Sequence, residues 1–221
     1  MLTIFAALVA APELKLVDFL SGDQTVSVMN DPVMGGQSHS TYDAKSGDFT
    51  GTCAIVPFLK APGFCKVATT HPLFKPEAFP DASHYIDGAL YLVVQSTTPS
   101  YTGYKVEFSA KNVTRPRPGP HHAAPSFKAN FTVPATAIEE DSPWATIKVP
   151  FSQFSVDWSE YTGNCFTKDP TGEQHFCCTP AHPEVCVKDY HLAKMTGFAV
   201  WAEGVEGDFD IKLKEIWAGP M

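Results

Sequence analysis

The sequence feature that most constrains the fold is a series of short apolar runs, each bounded by Gly, Pro, Asn or Asp. Branched and aromatic side chains in such runs predict β-strands, because they pack well on a pleated surface and the bounding residues favour turns. The runs are Leu14–Phe19, Val26–Met29, Ser38–Tyr42, Phe49–Val56, Phe64–Thr70, Ile86–Thr97, Tyr104–Ala110, Phe127–Val133, Trp144–Phe151, Met195–Ala202 and Phe209–Trp217. Their spacing predicts an all-β antiparallel sandwich or jelly roll.

Alternation along three of the runs indicates which side chains face the core. Apolar residues occupy one side, and the other side carries Lys105, Glu107 and Ser109 in one run, Lys128, Asn130 and Thr132 in the next, and Thr146 and Lys148 in the third. A sheet with one polar face is typical of a solvated outer surface. The alternative is a shallow binding surface for sugars or a partner protein.

Length and charge bound the domain organisation and the partners. The 221 residues are 44% hydrophobic, which suffices for one sizeable core. We predict a single sandwich domain over residues 13–221, with long loops at 115–126 and 162–189, where proline, histidine and cysteine replace the periodic apolar residues. The net charge is −8, and the only cluster of basic residues is Arg115-Pro116-Arg117. The sequence therefore lacks the positively charged patch that is typical of a nucleic-acid-binding protein.

The six cysteines fall into two groups. Cys53 and Cys65 flank a predicted hairpin and could pair across it, while Cys165, Cys177, Cys178 and Cys186 could pair among themselves within the second long loop. Zinc is the competing interpretation, but there is no Cys-x-x-Cys pair, and the adjacent Cys177-Cys178 does not fit common ligand spacing. The sequence therefore predicts disulfides and no metal site, and no ligand spacing identifies calcium.

Two further features favour the secretory pathway or the cell exterior. Asn112 and Asn130 each begin an Asn-x-Thr sequon, which marks a surface position in a glycoprotein. Residues 1–12 resemble the apolar part of a signal peptide, although no Lys or Arg precedes it. No stretch approaches the roughly 20 apolar residues of a transmembrane helix. Mitochondria or another organelle are the alternative location.

The segment Asn30-Asp31-Pro32-Val33-Met34-Gly35-Gly36-Gln37-Ser38 has neither helical nor strand periodicity. Its Asn and Asp side chains can bond nearby backbone amides, its proline fixes φ, and its paired glycines allow positive φ or close backbone approach. These residue types predict a loop with one defined backbone conformation. The structural interpretation is a tight turn between strands. The functional interpretation is that the same turn also binds a ligand or a partner at its surface.

This segment resembles the Asn-Asp-x-Val-Met-Gly-Gly-x-Ser signature of the complex I intermediate-associated protein 30 family. Further pieces follow in the family's order: Phe49-x-Gly51, Gly63-Phe64, Val149-Pro150-Phe151-Ser152-x-Phe154 and Gly207-x-Phe209-x-Ile211-x-Leu213-x-x-Ile216. The resemblance extends from about Phe19 to Trp217. The cysteine-rich segment and the sequons depart from it, because a disulfide framework fits poorly with a reducing matrix-side location.

The resemblance implies a galactose-binding-like jelly-roll β-sandwich and a role in assembling multisubunit membrane complexes. The residues that match the signature are Asn30, Asp31, Val33, Met34, Gly35, Gly36 and Ser38. We expect them to shape one loop, with protein subunits of a multisubunit complex as partners. The family pattern carries no catalytic residue and no cofactor.

Enzymatic interpretations lack a matching motif. Gly35-Gly36 has neither the Lys-Ser/Thr of a phosphate-binding loop nor the third glycine of a dinucleotide fingerprint. Two function hypotheses remain. The first is a non-catalytic assembly factor or chaperone-like protein that holds a partner through the signature loop and the neighbouring edges. The alternative is a secreted or luminal carbohydrate-binding module that uses Tyr91, Gln95, Tyr101 and Trp144, since aromatic stacking and amide hydrogen bonds suit sugars.

Overall fold

The computed structural model describes residues 13–31, 35–59, 61–70, 79–116, 124–134 and 144–221. Within them the all-β prediction is confirmed. The elements are β1 (Leu14–Asp18), β2 (Thr25–Asn30), β3 (His39–Asp43), β4 (Asp48–Cys53), β5 (Phe64–Thr70), β6 (Ala89–Ser96), β7 (Tyr104–Ala110), β8 (Phe127–Asn130), β9 (Ala145–Pro150), β10 (Thr167–Lys168), β11 (Gln174–His175), α1 (Asp189–Leu192), β12 (Met195–Glu203) and β13 (Gly207–Gly219).

Two antiparallel sheets form the sandwich. The first sheet has the order β3-β4-β13-β6-β9, and β1 also pairs with β13. The second sheet has the order β2-β5-β12-β7-β8. The long β13 strand organises the first sheet, because residues 207–212 pair with β4 while residues 215–218 pair with β1. The strands nearest the carboxyl end thus lie inside both sheets.

The core lies between the two sheets and is rich in aromatic rings. Phe209 of β13 packs against Phe49 of β4, with ring centroids 4.8 Å apart, and also against Tyr101 and Tyr104. The alternation of β13 keeps Phe209, Ile211 and Leu213 inside. A register shift between Leu213 and Glu215 then moves the buried positions to Ile216 and Ala218. Such a bulge lets one long strand stay packed despite an irregular pairing.

The predicted loop at 162–189 is more ordered than expected. It contains the hairpin formed by β10 and β11 and two disulfides, Cys165–Cys177 and Cys178–Cys186. The prediction that these four cysteines pair among themselves is therefore confirmed. Of the other predicted loop, the described residues 115–116 and 124–126 belong to no helix or strand. The signal-like residues 1–12 lie outside the described part of the chain.

The proposed pairing of Cys53 with Cys65 is wrong, because both are free thiols. Cys53 is the last residue of β4 and Cys65 the second residue of β5, and these strands belong to different sheets, so the two cysteines do not face each other across one hairpin. The Cys53 thiol donates to the Gly63 carbonyl at 3.1 Å, and the Cys65 thiol faces the Thr52 carbonyl. Burial raises the pKa of Cys65 to about 12 and also raises that of Cys53. Both behave as small core residues.

Candidate functional site

The signature loop is built around the buried carboxylate of Asp31, the residue directly after β2. One carboxylate oxygen accepts the Ser38 amide at 2.8 Å, and the other accepts the Ser38 hydroxyl at 2.6 Å and the Phe64 amide at 3.1 Å. Ser38 in turn accepts the Ala54 amide at 3.0 Å. The side chain of Asp31 therefore satisfies donors from two other segments.

The remaining signature residues fit around this carboxylate. Gly35 has φ of 88°, a conformation that favours glycine. A Cβ atom at Gly36 would overlap the carboxyl group of Asp31, so only glycine allows the chain to pass there. Asn30 bonds the Ser40 side chain at 2.6 Å, which links β2 to β3. Val33 and Met34 of the signature lie outside the described residues.

The signature therefore joins the two sheets at one end of the sandwich. Asp31 extends β2 and bonds the first residue of β5, both in the second sheet. Ser38 precedes β3 and bonds the residue after β4, both in the first sheet. Both carboxylate oxygens of Asp31 have hydrogen-bond partners within the protein. The role that these bonds give the loop is therefore structural: it connects the two sheets.

A second polar cluster lies on the outer side of the second sheet, where the sequence predicted a solvated face. Lys105 and Glu203 are only 3% and 6% exposed. One carboxylate oxygen of Glu203 lies 2.8 Å from the Lys128 ammonium and 3.3 Å from that of Lys105. Lys105 also donates to the Glu203 carbonyl at 2.7 Å. The expectation of a solvated face is wrong for Lys105 of β7 and Lys128 of β8, which are buried.

Residues that follow β9 cover this cluster. Ser155 pairs with Lys128 at the edge of β8, and the Trp158 indole donates to the Lys128 carbonyl at 3.1 Å. Gly163, with φ of 67°, packs against the Glu203 side chain. Alternation identifies a polar side of a strand, but it does not reveal which distant segment will shield that side from water.

The electrostatics of the cluster favour an ionised carboxylate. Burial opposes the charge on Glu203, but the ammonium groups of Lys128 and Lys105 outweigh it and lower the pKa of the carboxyl group. Burial lowers the pKa of Lys105, although Glu203 opposes that change. The ammonium of Lys128 also lies 3.9 Å from the centroid of the Trp201 ring, an additional attraction. This arrangement is a shielded ion cluster with tightly held side chains.

The four residues proposed for sugar binding do not form an open platform. Tyr91 is 1% exposed and its hydroxyl donates to the Pro220 carbonyl, while Tyr101 is 6% exposed and bonds the Val205 carbonyl at 2.9 Å. Neither ring can stack on a sugar, so both assignments are corrected. Gln95 and Trp144 are half-buried. Of the four residues proposed for sugar binding, only these two have side chains that are partly accessible to a ligand.

Both sequon asparagines are exposed. Asn112 lies in the turn after β7 with φ of 62°, and Asn130 ends β8. Their side chains are accessible for modification.

Exposed apolar side chains occur on the segments that adjoin the signature loop. Val28 and Met29 lie on β2, which pairs only with β5 among the described strands. Ile55 and Phe58 follow β4, and Phe58 is 77% exposed. Val28, Met29 and Ile55 were predicted from the sequence to lie in strand runs, and Phe58 was not singled out, because periodicity does not reveal which apolar residue will face solvent.

Within the described residues, no helix is long and apolar enough to cross a membrane. One group of side chains has the composition of a metal site: Asp169, Glu173 and His175, around the hairpin of β10 and β11.

Comparison with protein families gives one match. Residues 17–165 match the family described as complex I intermediate-associated protein 30. The matched region includes the whole signature loop and ends at the first cysteine of the disulfide-bonded segment. No curated protein matches the chain.

Solved structures give only distant similarity. An exo-β-agarase has 13% sequence identity and a TM-score of 0.43 over 94% of this chain. A β-1,2-glucanase from Parabacteroides distasonis has 11% identity and a TM-score of 0.43 over 96% of this chain. The chain spans about a quarter of the length of each, 25% and 24% respectively.

We predict that Asp31→Asn will destabilise the fold by about 2–3 kcal/mol, because an NH2 group in place of either carboxylate oxygen faces a backbone amide, that of Ser38 or that of Phe64, which then loses its acceptor. Urea unfolding followed by tryptophan fluorescence measures this change. The matched control is Asp208→Asn, where an exposed carboxylate accepts only the Thr52 hydroxyl among the bonds described. Equal stability of the two variants would contradict the role given to Asp31.

We predict that Glu203→Gln will cost about 3–5 kcal/mol at neutral pH, because two ammonium groups stay shielded without their carboxylate. Since the folded-state pKa is lowered, the Glu203 contribution is complete above the ordinary value of 4.5 and is lost as pH falls through the folded value. The stability difference from wild type should therefore shrink on acidification below 4.5. Urea titrations across pH measure it, with the exposed Glu206→Gln as control. A difference that does not change with pH would refute this account.

Proposed function

We propose that this chain, which belongs to the complex I intermediate-associated protein 30 family, is a non-catalytic binding protein that holds subunits of a multisubunit complex during assembly. Family membership supports an assembly-factor role in general terms. The finer proposal concerns where a subunit would bind. It rests on one observation, the exposed apolar side chains beside the signature loop.

The proposed binding surface consists of Val28 and Met29 on β2 together with Ile55 and Phe58 after β4. These side chains are between 38% and 77% exposed. They belong to segments that the Asp31 and Ser38 network fixes to one another, so the surface is held in place before a partner arrives. Apolar side chains on a rigid support are typical of protein interfaces.

The partner we propose is a protein segment that adds to the free edge of β2. Among the described strands, β2 bonds β5 on one side only, so its other side offers unpaired backbone donors and acceptors. The exposed Met29 and Phe58 would supply the apolar contacts, and the backbone would supply the alignment. A carbohydrate is a poorer candidate, because the rings of Tyr91 and Tyr101 are buried.

The two disulfides support an oxidising compartment. We propose the secretory pathway or the cell exterior as the location, with glycans on Asn112 and Asn130. Mitochondria or another organelle, which family membership favours, are the alternative. Exposure of both asparagines is compatible with glycosylation.

We predict that Phe58→Ser will abolish capture of complex subunits by the tagged chain in its native cells, because it removes a large apolar contact from the proposed surface. Crosslinking, affinity purification and mass spectrometry measure the recovered subunits. Phe166→Ser is the matched control, since Phe166 is 76% exposed but lies in the disulfide-bonded segment. Both variants should unfold at the wild-type temperature.

One outcome would overturn the proposed function, and two others would overturn the proposed surface. Wild-type protein that recovers no subunit of any multisubunit complex would exclude an assembly role. Equal capture by the Phe58 and wild-type proteins would exclude the proposed surface. Loss of capture with the Phe166 change instead would move the surface to the disulfide-bonded segment.

To test the location, we predict that deglycosylation will lower the intact mass of the native protein by the mass of two glycans, one at each sequon. Each glycan accounts for one step in that mass. Asn112→Gln and Asn130→Gln should each remove one step. Asn164→Gln is the control, because Asn164 is followed by Cys165 and Phe166 and begins no sequon. A native mass that deglycosylation does not change would contradict the secretory assignment.

A further inference from the structure

Three potential metal ligands converge around the hairpin of β10 and β11. Asp169, Glu173 and His175 each offer a ligand atom, and these atoms all lie within 4.8 Å of one another. Asp169 and His175 are buried, and Glu173 is half-buried. This group shares no residue with the surface proposed for partner binding, so a metal site here does not depend on the proposed function.

The distance between the two buried ligand atoms suits a small divalent cation. Nε2 of His175 lies 3.2 Å from Oδ2 of Asp169. Zinc bonds of about 2.0–2.2 Å to nitrogen and oxygen place neighbouring ligands of a tetrahedral site roughly 3.4 Å apart. The third ligand atom, a carboxylate oxygen of Glu173, lies within 4.8 Å of both.

A second carboxylate orients the imidazole toward this position. Nδ1 of His175 lies 2.8 Å from Oδ1 of Asp157, while the other oxygen of Asp157 accepts the Phe176 amide at 2.9 Å. When Nδ1 of a neutral ring donates its hydrogen to Asp157, Nε2 presents a lone pair to the Asp169 carboxylate. Nε2 is then the ring nitrogen that can ligate a cation together with Oδ2 of Asp169, 3.2 Å away. A carboxylate that positions a ligating histidine in this way is the usual outer partner of a zinc site.

The local structure holds the ligands before any ion arrives. The disulfide Cys165–Cys177 encloses all three ligand residues in one short loop. Oδ1 of Asp169 accepts the Thr171 amide, the Thr171 hydroxyl and the Glu173 amide, which fixes the turn and leaves Oδ2 directed at His175. A fixed loop lowers the entropy that binding must remove.

We propose that Asp169, Glu173 and His175 bind one zinc ion, with Asp157 as the residue that positions His175. A nitrogen ligand beside two carboxylates favours zinc over calcium or magnesium, which prefer oxygen alone. The ion holds the two strands of the hairpin together and neutralises the negative charge gathered there. Its role is structural.

The test is calorimetric titration of zinc chloride into the full chain, purified without reductant and stripped with a chelator. We expect saturation at one zinc per chain, and at least about a tenfold loss of affinity in Glu173→Gln. The matched control is Glu184→Gln, which makes the same chemical change beside His182 in the same disulfide-bonded segment. Its zinc affinity should equal that of wild type.

A second variant guards against misfolding. Asp169→Asn keeps an oxygen for the three turn donors while it weakens the ligand, so its affinity should also fall. Metal-free circular dichroism must match wild type for both variants. The absence of saturable zinc binding, unchanged affinity in Glu173→Gln, or calcium binding as tight as zinc binding would each overturn the proposal.

Discussion

The buried carboxylate of Asp31 is the interaction on which the end of the sandwich depends. Asp31 itself follows β2, and it receives donors from Ser38 and Phe64. Ser38 passes the connection to Ala54 beyond β4. Because β2 and β5 belong to one sheet and β3 and β4 to the other, this network fixes the sheets against each other. The spacing of the signature follows directly, since glycine is required where the chain passes the carboxylate and serine where it must bond twice.

Strand positions were the most predictable part of the fold. The predicted runs Phe64–Thr70 and Tyr104–Ala110 coincide with β5 and β7. Alternation specifies such strands because one side of each must face the shared core. Strand ends were less predictable: the run Phe49–Val56 extends beyond β4, since the Ala54 amide bonds Ser38 rather than a neighbouring strand. A local pattern cannot reveal that partner.

The candidate sites were predicted less well than the strands, because their partners are distant in sequence. The signature identified Asp31, but its bond to Phe64 spans 33 residues. No sequence pattern indicated Glu203, because its bond to Lys128 spans 75 residues. An even number of cysteines suggested complete pairing, yet parity does not distinguish a disulfide from two core thiols, as Cys53 and Cys65 demonstrate. Local composition did indicate the pairing group of the other four.

The disulfide-bonded segment also determines which sheet edge remains available. Ser155, which lies between β9 and this segment, pairs with Lys128 at the outer side of β8, and Cys186 of the segment pairs with Ser155 in turn, so the two stretches continue the second sheet beyond β8. A partner strand therefore cannot add there. At the opposite edge, β2 has no neighbour other than β5 among the described strands, and Met29 beside it is exposed. Among the described strands, β2 is therefore the edge of the second sheet that is left without a neighbour on one side, and it is the edge to which the proposed partner would add.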